Sequence, residues 1–181
     1  MKALIITEGK LDQLLLEGIL KTHPRLRGRY TIVVGGGESS AASLARSYLA
    51  TSDARVALIA DADTNDPDEV PRKHAALSDA LGAVAAADRY LVLLAVPEIE
   101  IILFADRELA ESLFDRKLNA SDWAEARNNP KLMLGKLMQG TPTRIINLSK
   151  LAHLLLHHDL KPFLQLPLIK AIENFVLREA A

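Results

Sequence analysis

The sequence predicts an α/β fold: a Rossmann-like parallel sheet of about four strands flanked by helices, with a helical C-terminal extension. Three observations predict it. Apolar runs alternate with helical patterns through about the first hundred residues, the order that builds a parallel sheet with helices on both faces. Those runs are near-continuous Ile, Leu and Val, which fits strands buried on both sides. After about residue 106 the strand signals stop and helical patterns take over.

Each element has its own warrant. Residues 2–7 form a short apolar run ahead of Glu8-Gly9-Lys10 and read as the first strand. Residues 11–21 carry leucines at 11, 14, 15 and 16, followed by Ile19 and Leu20, and read as a helix. Residues 30–34 are the second strand, closed by Gly35-Gly36-Gly37, after which Ser39 or Ser40 is expected to cap a helix to about Ala50. Residues 55–60 are the third strand, closed by Asp61-Ala62-Asp63. A helix is expected from Pro67 to about Ala86, then a fourth strand over 90–96, with Pro97 opening the next helix at its favoured first position. Helical patterns follow over 106–118, 130–139, 148–158 and 167–178. Residues 1–105 are therefore expected to be the α/β core. Residues 106–181 are expected to be a helical extension packed on it, without a flexible linker.

Composition bounds the function. The chain has 181 residues, is 49% hydrophobic and 25% charged, and so can bury a core without staples; disorder and low complexity are excluded. It has no cysteine, which removes disulfides and thiolate chemistry and suits a reducing compartment, so a cytoplasmic location is expected. No apolar run reaches the length of a membrane span, and the acidic start does not suit a signal peptide. Net charge is −1, so a nucleic-acid partner has to be held by a local patch or by metal ions.

Acids gather at one edge. In an open parallel sheet, ligands bind at the carboxyl ends of the strands. Glu8 follows the first strand, Glu38 the second, Asp61 and Asp63 the third, Glu98 and Glu100 the fourth. Asp12 lies four residues beyond Glu8, on the same helix face. A single acid after a strand is often a helix cap, but Glu8, Asp61 and Asp63 converging on one edge argue for a site. Such a cluster repels itself unless protonated or neutralised by a cation, and hard divalent ions take oxygen ligands. Glu38 also serves the helix dipole, and the choice between Glu98 and Glu100 stays open. Basic residues placed to meet a phosphate are Lys10, Arg72, Lys73 and Arg107.

Other features read more plainly. Gly35-Gly36-Gly37 lacks the spacing of a nucleotide motif and reads as a tight turn. His153 and His157 stand i, i+4 without a third ligand nearby and read as packing or surface residues. Trp123 reads as tail packing, and 4% aromatic content argues against strand binding by base stacking. Arg25-Leu26-Arg27-Gly28-Arg29 falls at the amino edge, opposite the acids, and reads as a solvated loop or a partner surface.

Ile5-Ile6-Thr7-Glu8-Gly9-Lys10-Leu11-Asp12 resembles the first motif of Toprim domains, and Leu58-Ile59-Ala60-Asp61-Ala62-Asp63 resembles their DxD motif, in the right order and about fifty residues apart. The Glu8/Asp12 spacing and the Ile99-Glu100 step look most like the OLD-type (overcoming lysogenisation defect) nuclease branch, here as a stand-alone domain. The resemblance covers residues 1–105. It implies Glu8, Asp61 and Asp63 as catalytic residues, and Glu8, Asp12, Asp61, Asp63 and Glu100 as metal ligands. It implies Mg²⁺ or Mn²⁺, two ions about 4 Å apart, hydrolysing phosphodiester bonds in DNA or RNA. It also implies that a separate ATPase or DNA-binding protein could partner the chain. The apolar tail is able to bury a homodimer face. Two alternatives stand beside this one. The first is a non-catalytic module that binds metal, nucleic acid or a partner. The second is a phosphatase of the haloacid dehalogenase type, which Asp61-Ala62-Asp63-Thr64 also resembles.

Overall fold

Four apolar runs pair into one all-parallel sheet in a computed structural model that describes residues 2–178. The strands are β1 (Ala3–Thr7), β2 (Tyr30–Val34), β3 (Val56–Asp61) and β4 (Tyr90–Ala95), in the order β2-β1-β3-β4. Ile5 aligns with Ile32 on one side and Ala57 on the other, and Ala57 aligns with Leu91. β1 and β3 are thus interior strands. Five of the six β3 residues are buried, as continuous Val-Ala-Leu-Ile-Ala demands.

Successive side chains point to opposite faces, so each strand feeds two cores. Ile6, Val56, Leu58 and Val92 meet α2 (Glu38–Thr51) and α3 (Glu69–Gly82) through Ala41, Ala45, Leu49 and Leu81. Small alanines there let α2 approach the sheet closely. Ile5, Ala57, Ile59 and Ala95 face the larger core, against α1 (Lys10–Leu20) and the C-terminal helices. Those are α4 (Arg107–Leu113), α5 (Ala120–Asn128), α6 (Pro130–Gln139), α7 (Leu148–His157) and α8 (Pro167–Leu177). Leu134, Leu151, Leu155, Phe163, Ile169 and Ile172 join Leu15, Leu16 and Ile19 in this one apolar cluster. The tail therefore completes one side of the sheet. No helix among the described residues is long and apolar enough to cross a membrane.

Several expected boundaries move. Gly37, not Ser39 or Ser40, caps α2, because Gly36 and Gly37 take φ of +85° and +110° and make the turn by themselves. The α3 helix starts at Glu69 rather than Pro67, because residues 64–68 are held in side-chain turns: Asp66 N–H donates to Thr64 Oγ1 and Asp68 N–H to Asp66 Oδ1. Pro97 opens no helix; Glu98 caps a 3₁₀ segment, Ile99–Phe104. The helix expected over 106–118 stops at Leu113, since Asp115 takes a left-handed φ of +46°. The α5 helix was not expected at all. It is short and mostly polar, so its periodicity is faint, although Asn119 caps it by accepting from Asp122 N–H at 2.8 Å.

Candidate active site

In the order β2-β1-β3-β4, the chain leaves β1 toward one edge and leaves β3 toward the other. A crevice opens between the carboxyl ends of two such neighbours. Glu8 stands just past β1 and Asp61 ends β3, one on each lip. Asp61 N–H donates to Glu8 Oε1 at 3.0 Å across it. Ile99 N–H donates to Asp61 Oδ1 at 2.7 Å, which holds that carboxylate between β3 and the segment after β4. The glycine turn clamps Glu8 from the far side: Gly36 and Gly37 N–H donate to its carbonyl at 3.0 and 2.9 Å. Asp12 is buried in the first turn of α1, where Gly9 N–H donates to its Oδ2 at 2.8 Å. Three acids are thus fixed by backbone amides on three different elements.

Glu100 is fixed by nothing of the kind. It is 0% exposed, and neither carboxylate oxygen has a hydrogen-bond partner. Lys131 Nζ, from α6, lies 3.5 Å from its Oε1, an ion pair without hydrogen-bond alignment. A buried carboxylate without hydrogen bonds is costly and rare.

The electrostatics follow from burial. Loss of solvent, then the charges of Glu100, Asp12 and Glu8, push the Asp61 carboxyl up to about 8, against a weaker opposing pull from Ile99 N–H. Burial likewise raises Glu8, Asp12 and Glu100 above the ordinary carboxylate range. Burial works to lower the Lys131 ammonium, but Glu100, Glu98 and Asp61 facing it outweigh that and leave it raised. One lysine faces these four acids, and without a further cation the crevice favours their protonated forms.

The rim is arranged differently. Lys73 of α3 bridges Glu38 at 2.7 Å and Asp63 at 3.0 Å. Asp63 takes a left-handed φ of +57°, and its side chain is 63% exposed. Glu98 is buried and paired with Arg144, from the loop between α6 and α7.

The structure therefore sorts the expected residues. Glu8, Asp12 and Glu100 each bear on Asp61, while Glu38, Asp63 and Lys73 form a second group at the rim whose charges bear on Glu8. Among the described residues, no group of three His, Asp or Glu side chains stands close enough to hold a metal ion as placed. The donor set nevertheless fits a hard divalent cation. It is all oxygen, its carboxylates outnumber the cations that face them, and Glu100 offers two oxygens without hydrogen bonds. Of the expected phosphate contacts, Lys73 stands at the rim. Arg107 is turned to Glu111 and the Leu118 carbonyl, and Lys10 and Arg72 are exposed. Lys131 and Arg144 were not expected. A lysine in the first turn of a helix opposes the dipole, and that misplacement is the one local signal that marks Lys131.

Elsewhere the plainer readings hold. His153 and His157 are exposed, with ring centroids 4.0 Å apart on one face of α7. Trp123 is half-buried against the larger core. Comparison of the chain with models of known protein families and with curated proteins returns no match.

Proposed function

We propose that the chain is a divalent-metal-dependent nuclease of Toprim type, with the crevice between β1 and β3 as its active site. The observation that carries this reading is Glu100, a fully buried carboxylate without hydrogen bonds beside three acids whose ionisation is suppressed. A protein gains nothing in stability from such a group, so its presence points to a ligand that satisfies it. Glu8, Asp12, Asp61 and Glu100 would hold Mg²⁺ or Mn²⁺, with Asp63 adding a rim ligand once released from Lys73. The cation would supply charge neutralisation at the phosphate and a hydroxide source near neutral pH.

The chain's own residues divide the remaining work. The Ile99 amide orients Asp61, and the Asp61 amide orients Glu8, so neither carboxylate has to be ordered when substrate arrives. Glu8, whose pKa burial raises above the ordinary carboxylate range, is suited to hold a proton and exchange it. Lys73, at the mouth between two acids, is placed to meet substrate phosphate.

The test is cleavage of supercoiled plasmid, single-stranded DNA and structured RNA in Mg²⁺, Mn²⁺ and EDTA, beside Asp61→Ala and Glu8→Gln. Metal-dependent cleavage lost in both folded variants is expected. Cleavage that survives Asp61→Ala sinks the site. Hydrolysis of p-nitrophenyl phosphate alone, lost in Asp61→Asn, points to a phosphatase. A divalent-ion shift in melting without hydrolysis of any substrate points to a binding module.

A further inference from the structure

The opposite edge of the sheet has its own charge pattern. A basic residue immediately precedes every strand: Lys2, Arg29, Arg55 and Arg89. Two of them are structural. Arg89 donates to the carbonyls of Leu49 and Ala54 at 3.2 and 3.1 Å, closing the end of α2. Arg55 donates to the Phe175 carbonyl and lies 4.6 Å over its ring, fastening α8.

The other two belong to a group with no such task. Lys2, Lys21, Arg25, Arg27 and Arg29 are all exposed, and none has an ion-pair partner among the described residues. The fold holds them together. Ala3 N–H donates to the Arg29 carbonyl at 2.9 Å, which sets Lys2 beside Arg29. Leu26, 0% exposed, anchors the loop, and Gly28 at φ +74° turns it, so Arg25, Arg27 and Arg29 flank a pinned backbone. Lys21 and Arg27 line a cleft of about 650 Å³ with Tyr30 and Thr31, in which Glu17 is the one acid of the lining.

We propose that this amino edge is a binding surface for the phosphate backbone of nucleic acid, separate from the acid crevice. Three features choose that partner over an acidic protein. The cations are mostly arginine, whose fork matches phosphate oxygens. The cleft sets Lys21 and Arg27 against the one acid Glu17, and the exposed large apolar residues, Val96, Ile145 and Leu156, belong to other elements. An unpaired, arginine-rich, positively charged surface is the composition of a nucleic-acid interface. The strands span five or six residues, so the two edges lie about 17–20 Å apart. The surface therefore holds a stretch of nucleic acid other than the one in the crevice, and acts as a tether.

The experiment is fluorescence anisotropy of a short fluorescein-labelled DNA duplex with the full chain in EDTA, across a salt series. It is repeated with Arg25→Gln/Arg27→Gln/Arg29→Gln. The loop's bonds to neighbouring residues run through backbone atoms, so the variant keeps them, and an unchanged melting curve checks the fold. Engagement of four or so phosphates weakens binding about 100-fold between about 50 and 200 mM salt, and the triple variant loses roughly 2.7 from the logarithmic salt slope. Absent binding at low salt, or an unchanged slope in the variant, overturns the proposal. Displacement by poly-glutamate as readily as by unlabelled duplex also overturns it, and assigns the surface to an acidic protein. EDTA separates this test from cleavage: binding without cleavage in metal refutes the nuclease reading and leaves the tether, and cleavage without binding does the reverse.

Discussion

Replacing Asp61 with Asn tests the crevice without a substrate. In the metal-free chain the Asp61 carboxyl titrates at about 8, against 3.8 for the free side chain. A folded pKa raised in this way contributes stability that is fully present below about 4 and is lost as pH rises through about 8. The gap corresponds to on the order of 5 kcal/mol. Asn keeps the shape and the Oδ1 that accepts from Ile99 N–H, and it does not ionise. In EDTA at pH 9, Asp61→Asn is therefore expected to be the more stable chain by about 2–5 kcal/mol, the lower figure allowing for relaxation around the charge. At pH 5 the difference shrinks to about 1 kcal/mol. Guanidinium denaturation at the two pH values reads this directly. Mg²⁺ at a hundredfold above its dissociation constant stabilises the wild type by about 2.7 kcal/mol, and the variant by much less. Equal stability of the two chains at pH 9, together with no effect of Mg²⁺ on the wild type, would refute the electrostatic account and the metal reading together.

Three further outcomes are expected. Lys131→Met leaves the Glu100 carboxylate without its facing cation, so it lowers the melting temperature in EDTA at pH 8, by about 1–3 kcal/mol in stability, and Mg²⁺ narrows the deficit. Gly35→Ala drives a methyl to 2.4 Å from the Ala41 Cα, a backbone atom, and costs about 2–4 kcal/mol by chemical denaturation while displacing the turn that clamps Glu8. Phe104→Ala empties a 0% exposed site stacked 5.8 Å from Phe114 and costs about 3–5 kcal/mol by the same measurement.

The parts of the molecule that were legible in the sequence are those whose signal is local. Val-Ala-Leu-Ile-Ala-Asp announces a buried strand and the acid that ends it, and Ile-Ile-Thr-Glu-Gly does the same for β1. Those two runs place Glu8 and Asp61 on facing lips because parallel strands share a direction. The counter-charges were not legible. Lys131 and Arg144 reach Glu100 and Glu98 from 31 and 46 positions further on, and only tertiary packing brings them there. The placement of Asp63 was not legible either: the DxD spacing suggests a partner for Asp61, and a left-handed backbone sets it at the rim on Lys73, where its charge bears on Glu8. Boundaries slipped where side chains and glycines compete with the helix, at Gly37, Thr64 to Asp68 and Asp115.

The sharing of one apolar cluster between the sheet and the last five helices bears on how the chain is made. The strands emerge from the ribosome first. The side of Ile5, Ala57 and Ile59 that faces the tail stays partly bare until some seventy more residues follow, about 4–15 s at usual elongation rates. Through that interval the acid edge also lacks Lys131 and Arg144. The nascent half is thus sticky on one face and self-repelling along one edge. Translation speed through α4 to α8, and the holdases or cations that meet the chain meanwhile, then govern how much of it reaches the native state.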